Sequence, residues 1–100
     1  YEAVVLPLFE KDGMGELAGQ VQKRILGLRG LSAYYDGSRS IGRRYARADE
    51  IGVPWAVTVD HQSVEDGTVT IRRRDDQKQV RTSVDELLGH LHAGTLSGLF

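Results

Sequence analysis

The first half of the sequence alternates between two apolar patterns, and this alternation limits the chain to folds in which helices cover a parallel sheet. Residues 3–9 form a nearly continuous apolar run, which is typical of a strand covered on both faces. Residues 31–35 form a second short strand. Between them, apolar residues recur at helical spacing: Met14, Leu17, Ala18, Val21, Ile25 and Leu28. The order β–α–β indicates parallel strands joined by a helical crossover.

The second half adds two helices and three strands. Ser40 is a suitable N-cap for a helix that ends before Gly52. Ser83 and Glu86 fit the S-x-x-E capping box at the start of the last helix. Between these helices the pattern predicts an apolar strand at 55–59 and a polar loop at 60–67. An alternating strand at 68–72 and a short edge strand at 79–82 follow.

Together the elements predict an α/β three-layer sandwich, in which three helices flank a mixed five-stranded sheet. We expect the domain to occupy residues 1–94 and residues 95–100 to be a frayed C-terminal tail. A chain of 100 residues suits one such domain. The sequence opens at Tyr1 directly in an apolar run, and we therefore expect it to be a domain of a longer polypeptide.

Composition and spacing exclude several classes of site. The absence of cysteine excludes disulfides, thiolate nucleophiles and zinc sites with sulfur ligands, and it fits a cytoplasmic protein. No apolar stretch approaches the roughly 18 residues of a membrane span, so we expect no membrane partner. His90 and His92 point to different faces of a helix and His61 is distant in sequence, which predicts no metal site. No serine lies in a G-x-S-x-G elbow, and we predict no catalytic residue.

A dinucleotide-binding fingerprint is the sharpest alternative that the sequence offers. Residues 13–18 fit G-x-G-x-x-A between a strand and a helix, and Asp36 lies near the position of a ribose-binding acid. However, Glu10 and Asp12 would place two anions beside the pyrophosphate, and the six-stranded dinucleotide fold needs a longer chain. We therefore expect no cofactor in this domain.

Positive charge is concentrated in two places, although the formal net charge is only −1. One cluster surrounds the start of the second helix, and the other follows the alternating strand: Arg39, Arg43, Arg44 and Arg47, then Arg72, Arg73 and Arg74. Guanidinium groups bind phosphates, pair bidentately with base edges and stack on bases. A solvated helix face is the alternative for the first cluster, because acidic residues follow it.

Three segments carry a specific resemblance: VLPLFEKDG at 5–13, YDGSRSIGRRYARADEIGVPWAVTVD at 35–60 and EDGTVTIRRRD at 65–75. They resemble the C-terminal anticodon-binding domain of dimeric class II glycyl-tRNA synthetases, and the similarity runs from Val4 to His92. The resemblance implies the strand order 2-1-3-4-5 with the fourth strand antiparallel. The chain departs from the family pattern at four positions: Ala46, Ala48, Arg73 and Asp76.

The resemblance implies that the chain binds the anticodon stem-loop of a glycine tRNA. It places base contacts in the region 60–75, with Arg72 and Arg74 foremost, and phosphate contacts in the second helix. Glu50 is a candidate acceptor for the amino groups of cytosine. The candidate RNA-binding residues are Arg39, Arg43, Arg44, Arg47, Glu50, Gln62, Glu65, Arg72, Arg74 and Asp75.

The resemblance also implies what lies outside these residues. The motifs that bind ATP with magnesium and glycine are absent here, so the parent protein would carry them in a separate catalytic domain and would form a homodimer. A second hypothesis is a synthetase-like accessory or interaction module, which the replacements at Ala46 and Ala48 leave open. A third, an independent nucleotide-binding enzyme that uses Gly13 and Gly15, has the least support.

Overall fold

A computed structural model describes residues 1–28, 30–38 and 40–100, and within them a single mixed sheet is flanked by four α-helices. The strands are β1 (Ala3–Pro7), β2 (Ala33–Tyr35), β3 (Trp55–Val59), β4 (Thr68–Arg73) and β5 (Gln79–Ser83). The helices are α1 (Met14–Leu26), α2 (Ile41–Glu50), α3 (His61–Asp66) and α4 (Val84–Ala93), followed by a 3₁₀ turn at Leu96–Leu99.

The five strands are ordered β2–β1–β3–β4–β5. β1 pairs in parallel with β2 and β3, whereas β4 is antiparallel to both β3 and β5. This arrangement confirms the predicted strand order and the antiparallel direction of the fourth strand. In the register between β3 and β4, Ala56 lies opposite Arg72 and Thr58 lies opposite Thr70.

The two faces of the sheet are covered differently. α1 and α4 pack on one face against a continuous apolar core that includes Val5, Val57 and Ile71. α2 packs on the other face, over Val4 and Leu6 of β1, in a smaller core. The alternation of side chains along each strand produces this division, and the result is the predicted three-layer sandwich.

α3 occupies a segment for which the sequence pattern predicts a polar loop, so the structure adds one short helix to the three that were predicted. The carboxylate of Asp60 accepts from the backbone N–H of Ser63, whose hydroxyl accepts from the N–H of Asp60, both at 3.0 Å. Gly67, with φ of 72°, ends the helix in the left-handed conformation. The helix shows no apolar stripe, which is why hydrophobic periodicity did not reveal it.

The sequence predicts a frayed tail at residues 95–100, but the structure shows a packed segment there. It contains the 3₁₀ turn, buries Leu96 and places the ring of Phe100 on that of Trp55.

The S-x-x-E signal before α4 is half correct. Ser83 caps the helix by accepting from the N–H of Glu86, but the carboxylate of Glu86 accepts from the hydroxyl of Thr82, at 2.7 Å.

Candidate nucleic-acid interface

The exposed arginines of α2 form the first part of the candidate interface. Ser40 caps this helix by accepting from the N–H of Arg43, as predicted. Arg43 and Arg47 are exposed, and the Arg47 guanidinium lies 3.7 Å from the carboxylate of Asp36. These two side chains are available to anions, Arg43 in the first turn of α2 and Arg47 in its last turn. Arg39, which the sequence adds to this cluster, lies outside the described residues.

Arg44 does not share that exposure, although it lies within the same cluster in sequence. Only 3% of the residue is exposed, and its guanidinium donates to backbone carbonyls of three residues. The distances are 2.6 Å to Pro7, 2.9 Å to Asp36 and 3.3 Å to Leu8. Arg44 therefore joins α2 to the ends of β1 and β2, and its donors are directed at the protein itself.

Arg72, the foremost candidate for a base contact, is also largely buried, at 8% exposure. Its two terminal nitrogens donate to the two carboxylate oxygens of Asp49, at 3.0 and 3.1 Å. The guanidinium carbon lies 4.9 Å from the ring centroid of Tyr45, whose hydroxyl is 2.6 Å from that of Thr58. Hydrogen bonding to Asp49 raises the pKa of Arg72, which burial alone would lower.

Arg74, Asp75 and Glu50 remain at the surface. Arg74 is 3.3 Å from the carboxylate of Asp75, and both side chains are well exposed. The backbone N–H of Arg74 donates to the carbonyl of Pro54, which holds the end of β4 beside the turn after α2. Glu50 is exposed at the last residue of α2. These three candidates thus lie at the end of the sheet where β3 begins.

The two arginine clusters lie at opposite edges of the sheet. We call the edge where β1 and β3 end the carboxyl edge, and the edge where they begin the amino edge. Arg44 contacts the carboxyl edge through Pro7, whereas Arg72 and Arg73 pair with Ala56 and Trp55 near the amino edge. A five-residue strand spans roughly 15 Å, so an RNA that touches both clusters must extend along the α2 face of the sheet.

Polar side chains line this face where α2 leaves it uncovered. Thr70 of β4 lies opposite Arg81 of β5, and both are partly exposed. Arg81 donates to the hydroxyl of Thr68 at 2.8 Å and forms an ion pair with Asp60. Arg81 is absent from the sequence-based candidates, although it lies at an alternate position of a predicted edge strand.

The predicted candidates on α3 lie at the carboxyl edge. Gln62 and Glu65 are exposed, and the Gln62 amide donates to Asp66 at 3.0 Å. Asp60, at the start of this helix, is partly buried, which alone would raise its pKa. Hydrogen bonds from Arg81 and Ser63 outweigh that effect and lower the pKa of Asp60.

The glycine-rich segment before α1 has an acidic setting. Gly13 adopts φ of 85° immediately before the helix, and Asp36 is buried and accepts from the backbone and hydroxyl of Ser38. The Glu10 carboxylate lies so close to Gly37 that a Cβ there would be 1.6 Å from Glu10 Oε1. An anion therefore stands beside the turn where the dinucleotide fingerprint would require a pyrophosphate.

Two kinds of feature are absent from residues 1–28, 30–38 and 40–100. In that part of the chain, histidines and acidic side chains form no group of three or more that could hold a metal ion. No helix there is both long and apolar enough to cross a membrane.

Comparison with known proteins identifies a family and several relatives of this chain. Residues 2–93 match the family described as "Anticodon binding domain". The glycine–tRNA ligase of Aeropyrum pernix is 56% identical over 91 residues, 90% of this chain and 15% of that protein. The glycine–tRNA ligase of Methanothermobacter thermautotrophicus is 54% identical over 87 residues, 87% of this chain and 15% of that protein. The chain thus spans about 15% of the length of these curated relatives.

Solved structures share the fold at low sequence identity. The RNA-binding domain of threonyl-tRNA synthetase from Cryptosporidium parvum superposes with a TM-score of 0.82 and 22% identity, covering 92% of this chain and 23% of that chain. Prolyl-tRNA synthetase from the same organism gives a TM-score of 0.83 and 16% identity, covering 98% of this chain and 21% of that one. The match over residues 2–93 shows that the chain, which shares the fold of these structures, belongs to the anticodon-binding domain family.

Proposed function

We propose that this chain is the anticodon-binding domain of a glycine–tRNA ligase and that it binds the anticodon stem-loop of glycine tRNA. The observation that carries the proposal is the 51–56% identity to three glycine–tRNA ligases over about nine-tenths of the chain. Because the chain spans only 15% of those proteins, aminoacylation itself belongs to other parts of the parent.

The geometry supports an RNA ligand of this kind. Exposed Arg43 and Arg47 supply cationic groups along α2, and Glu50 and Arg74 supply an acceptor and a donor near its end. Splayed loop bases are recognised by hydrogen bonds to their edges and by stacking on planar side chains. Arginine reads acceptors on a base, and a carboxylate accepts from the amino group of cytosine.

The proposal extends to the parent protein. A separate catalytic domain would bind ATP, magnesium and glycine and attach the amino acid to the tRNA, while this domain would select the tRNA. The parent would work as a homodimer in the cytoplasm, where translation takes place. No cofactor is assigned to this domain.

A titration of the 100-residue chain with two RNAs tests the proposal. One RNA is the glycine-tRNA anticodon stem-loop, and the other has the two cytosines shared by glycine anticodons replaced by uracils. Binding should favour the cytosine loop at both low and moderate salt. Equal affinities that vanish together with added salt would show backbone binding alone, and would favour the accessory-module hypothesis.

A further inference from the structure

We propose that Arg44 and Arg72 are positioning residues. They fasten α2 to the sheet at its two ends and so fix where the exposed Arg43 and Arg47 meet the RNA, while neither buried guanidinium contacts the RNA. The part of this inference that concerns RNA binding rests on the proposed function. Two of the four arginines, Arg44 and Arg72, thus bind the protein itself, and the other two remain available to the RNA.

The anchor at the carboxyl edge is Arg44. Its terminal nitrogens donate to the carbonyls of Pro7, Leu8 and Asp36, at 2.6 to 3.3 Å. These carbonyls belong to the last residue of β1 and to the residues that directly follow β1 and β2. If the guanidinium turned outward to a phosphate, the buried carbonyls would lose their donor, and an unmade buried hydrogen bond is costly. The phosphate contact would thus be opposed by the fold.

The anchor at the amino edge is Arg72, and it reverses the roles of helix and sheet found at Arg44. Here the arginine belongs to the sheet and its partner, Asp49, belongs to the helix. The pair is bidentate, at 3.0 and 3.1 Å, and the guanidinium also lies over Tyr45. Both carboxylate oxygens of Asp49 accept from Arg72, so this arginine has a fixed orientation against the last turn of α2.

α2 needs such anchors because its own packing is slight. The helix has 10 residues, a length that is marginal for an isolated helix in water. Its apolar contacts with the sheet come from Ile41, Tyr45 and Ala48, next to small residues at 42 and 46. A shift of about one ångström at a binding group is enough to weaken recognition markedly. Anchoring at both ends therefore determines where Arg43 and Arg47 lie.

The test compares lysine substitutions, which keep the charge but lose the two-pronged geometry. In titrations with the cytosine-bearing stem-loop, Arg44→Lys and Arg72→Lys should each weaken binding about tenfold, whereas the control Arg24→Lys, an exposed arginine of α1 outside both clusters, should stay within about threefold of wild type. Each variant is measured where circular dichroism shows it to be fully folded. Wild-type affinity for both buried-site variants would overturn the proposal.

Salt dependence separates positioning from direct contact. Removing a phosphate contact lowers the slope of log K against log salt by about 0.7 for a single strand. Arg43→Gln or Arg47→Gln should show that decrease, and Arg44→Gln and Arg72→Gln should bind more weakly with an unchanged slope. A slope that falls equally in Arg44→Gln would identify Arg44 as a phosphate ligand and overturn the proposal.

A double-mutant comparison and hydrogen exchange complete the test. In an Arg43→Gln, Arg47→Gln background, Arg44→Lys should cost little further affinity, because its effect acts through those residues; an additive loss would contradict this. In the free protein, both lysine variants should speed amide exchange in α2 but not in α4. If wild type binds neither RNA, the proposed function fails, whereas faster exchange in α2 still supports the anchoring and unchanged exchange overturns it.

Discussion

Phe100 stacks on Trp55, with ring centroids 5.7 Å apart and ring planes 28° from parallel. The Arg73 guanidinium carbon lies 4.6 Å from the centroid of Phe100, so the aromatic ring is in contact on two sides. Trp55 and Arg73 are paired across β3 and β4. The C-terminal segment therefore covers the amino edge of the sheet at this pair.

Phe100→Ala should consequently lower the free energy of unfolding by about 1–2 kcal/mol, because it removes an aromatic pair and a partly buried ring. Urea unfolding followed by the fluorescence of Trp55, the only tryptophan in the sequence, measures this directly. Phe9→Ala is the matched control, since 52% of Phe9 is exposed. Its effect should stay within about 0.5 kcal/mol, and equal losses in the two variants would contradict the assigned contact.

The turn between β4 and β5 contains a strained position that substitution can relieve. Gln77 has φ of 60°, and its N–H donates to the carbonyl of Arg73 at 2.9 Å. A side chain in the left-handed region costs about 1–2 kcal/mol, part of which glycine recovers despite its greater freedom in the unfolded chain. Gln77→Gly should therefore raise the free energy of unfolding by roughly 0.5–1 kcal/mol.

Thermal and urea unfolding of Gln77→Gly test this expectation against Gln79→Gly. Gln79 lies within β5 in extended backbone, where glycine weakens a strand. The two variants should thus change stability in opposite directions. A decrease in both would show that the bonds around the turn, including the Arg73 to Asp76 pair at 2.6 Å, already compensate for the strain at Gln77.

The ion pair between Asp60 and Arg81 should give the protein an acid-dependent part of its stability. Burial alone would raise the pKa of Asp60, but hydrogen bonds from Arg81 and Ser63 bring it below the ordinary value of 3.8. A carboxyl whose pKa is depressed by folding stabilises the native state above the unfolded pKa. That contribution disappears as the pH falls through the folded pKa.

Asp60→Asn keeps a good helix cap and removes the charge. At pH 7 it should lower the free energy of unfolding by about 0.5–1.5 kcal/mol, as expected for a partly exposed, charge-assisted pair. The difference from wild type should persist down to about pH 4 and shrink below it. Asp85→Asn is the control, because 87% of the Asp85 side chain is exposed in its pair with Arg24. A difference from wild type that is independent of pH would contradict the assignment.

Local patterns in the sequence are sufficient to predict the five strands and the three longer helices, because most of them bury apolar side chains at regular spacing and the N-caps Ser40 and Ser83 mark the starts of α2 and α4. α3 escapes that signal, since Ser63 is its buried residue and its ends are defined by Asp60 and Gly67. Those two residues are recognisable helix-capping signals in the sequence. The 3₁₀ turn is too short for a periodic pattern, although it buries Leu96.

The candidate site was harder to predict because burial decides which arginines are available. Arg44 lies three residues after Ile41 and four before Ala48, and this helical spacing indicates that it shares their covered face. The guanidinium of Arg72 is unavailable because it pairs with Asp49, which lies 23 residues away in sequence. Such a pairing follows from tertiary packing, which local spacing does not specify. Arg81 becomes a candidate only when β5 is placed beside β4.

Glu50 should determine which of the two RNAs the domain prefers. It is exposed at the end of α2, on the same edge of the sheet as Arg74. A carboxylate that accepts from a cytosine amino group contributes about 1–3 kcal/mol of discrimination. Glu50→Ala should therefore reduce the preference for the cytosine loop over the uracil loop by roughly 5- to 150-fold.

Only the affinity for the cytosine loop should fall, which makes the prediction sharp. The variant should bind the cytosine loop more weakly, because an acceptor is lost. It should bind the uracil loop as tightly as wild type or more tightly, because a negative charge near the RNA is removed. Glu16→Ala, an exposed acid in the first turn of α1, is the control and should leave the ratio of the two affinities unchanged. If Glu50→Ala strengthens binding to both loops equally, Glu50 acts only as a repulsive charge and another residue reads the cytosines.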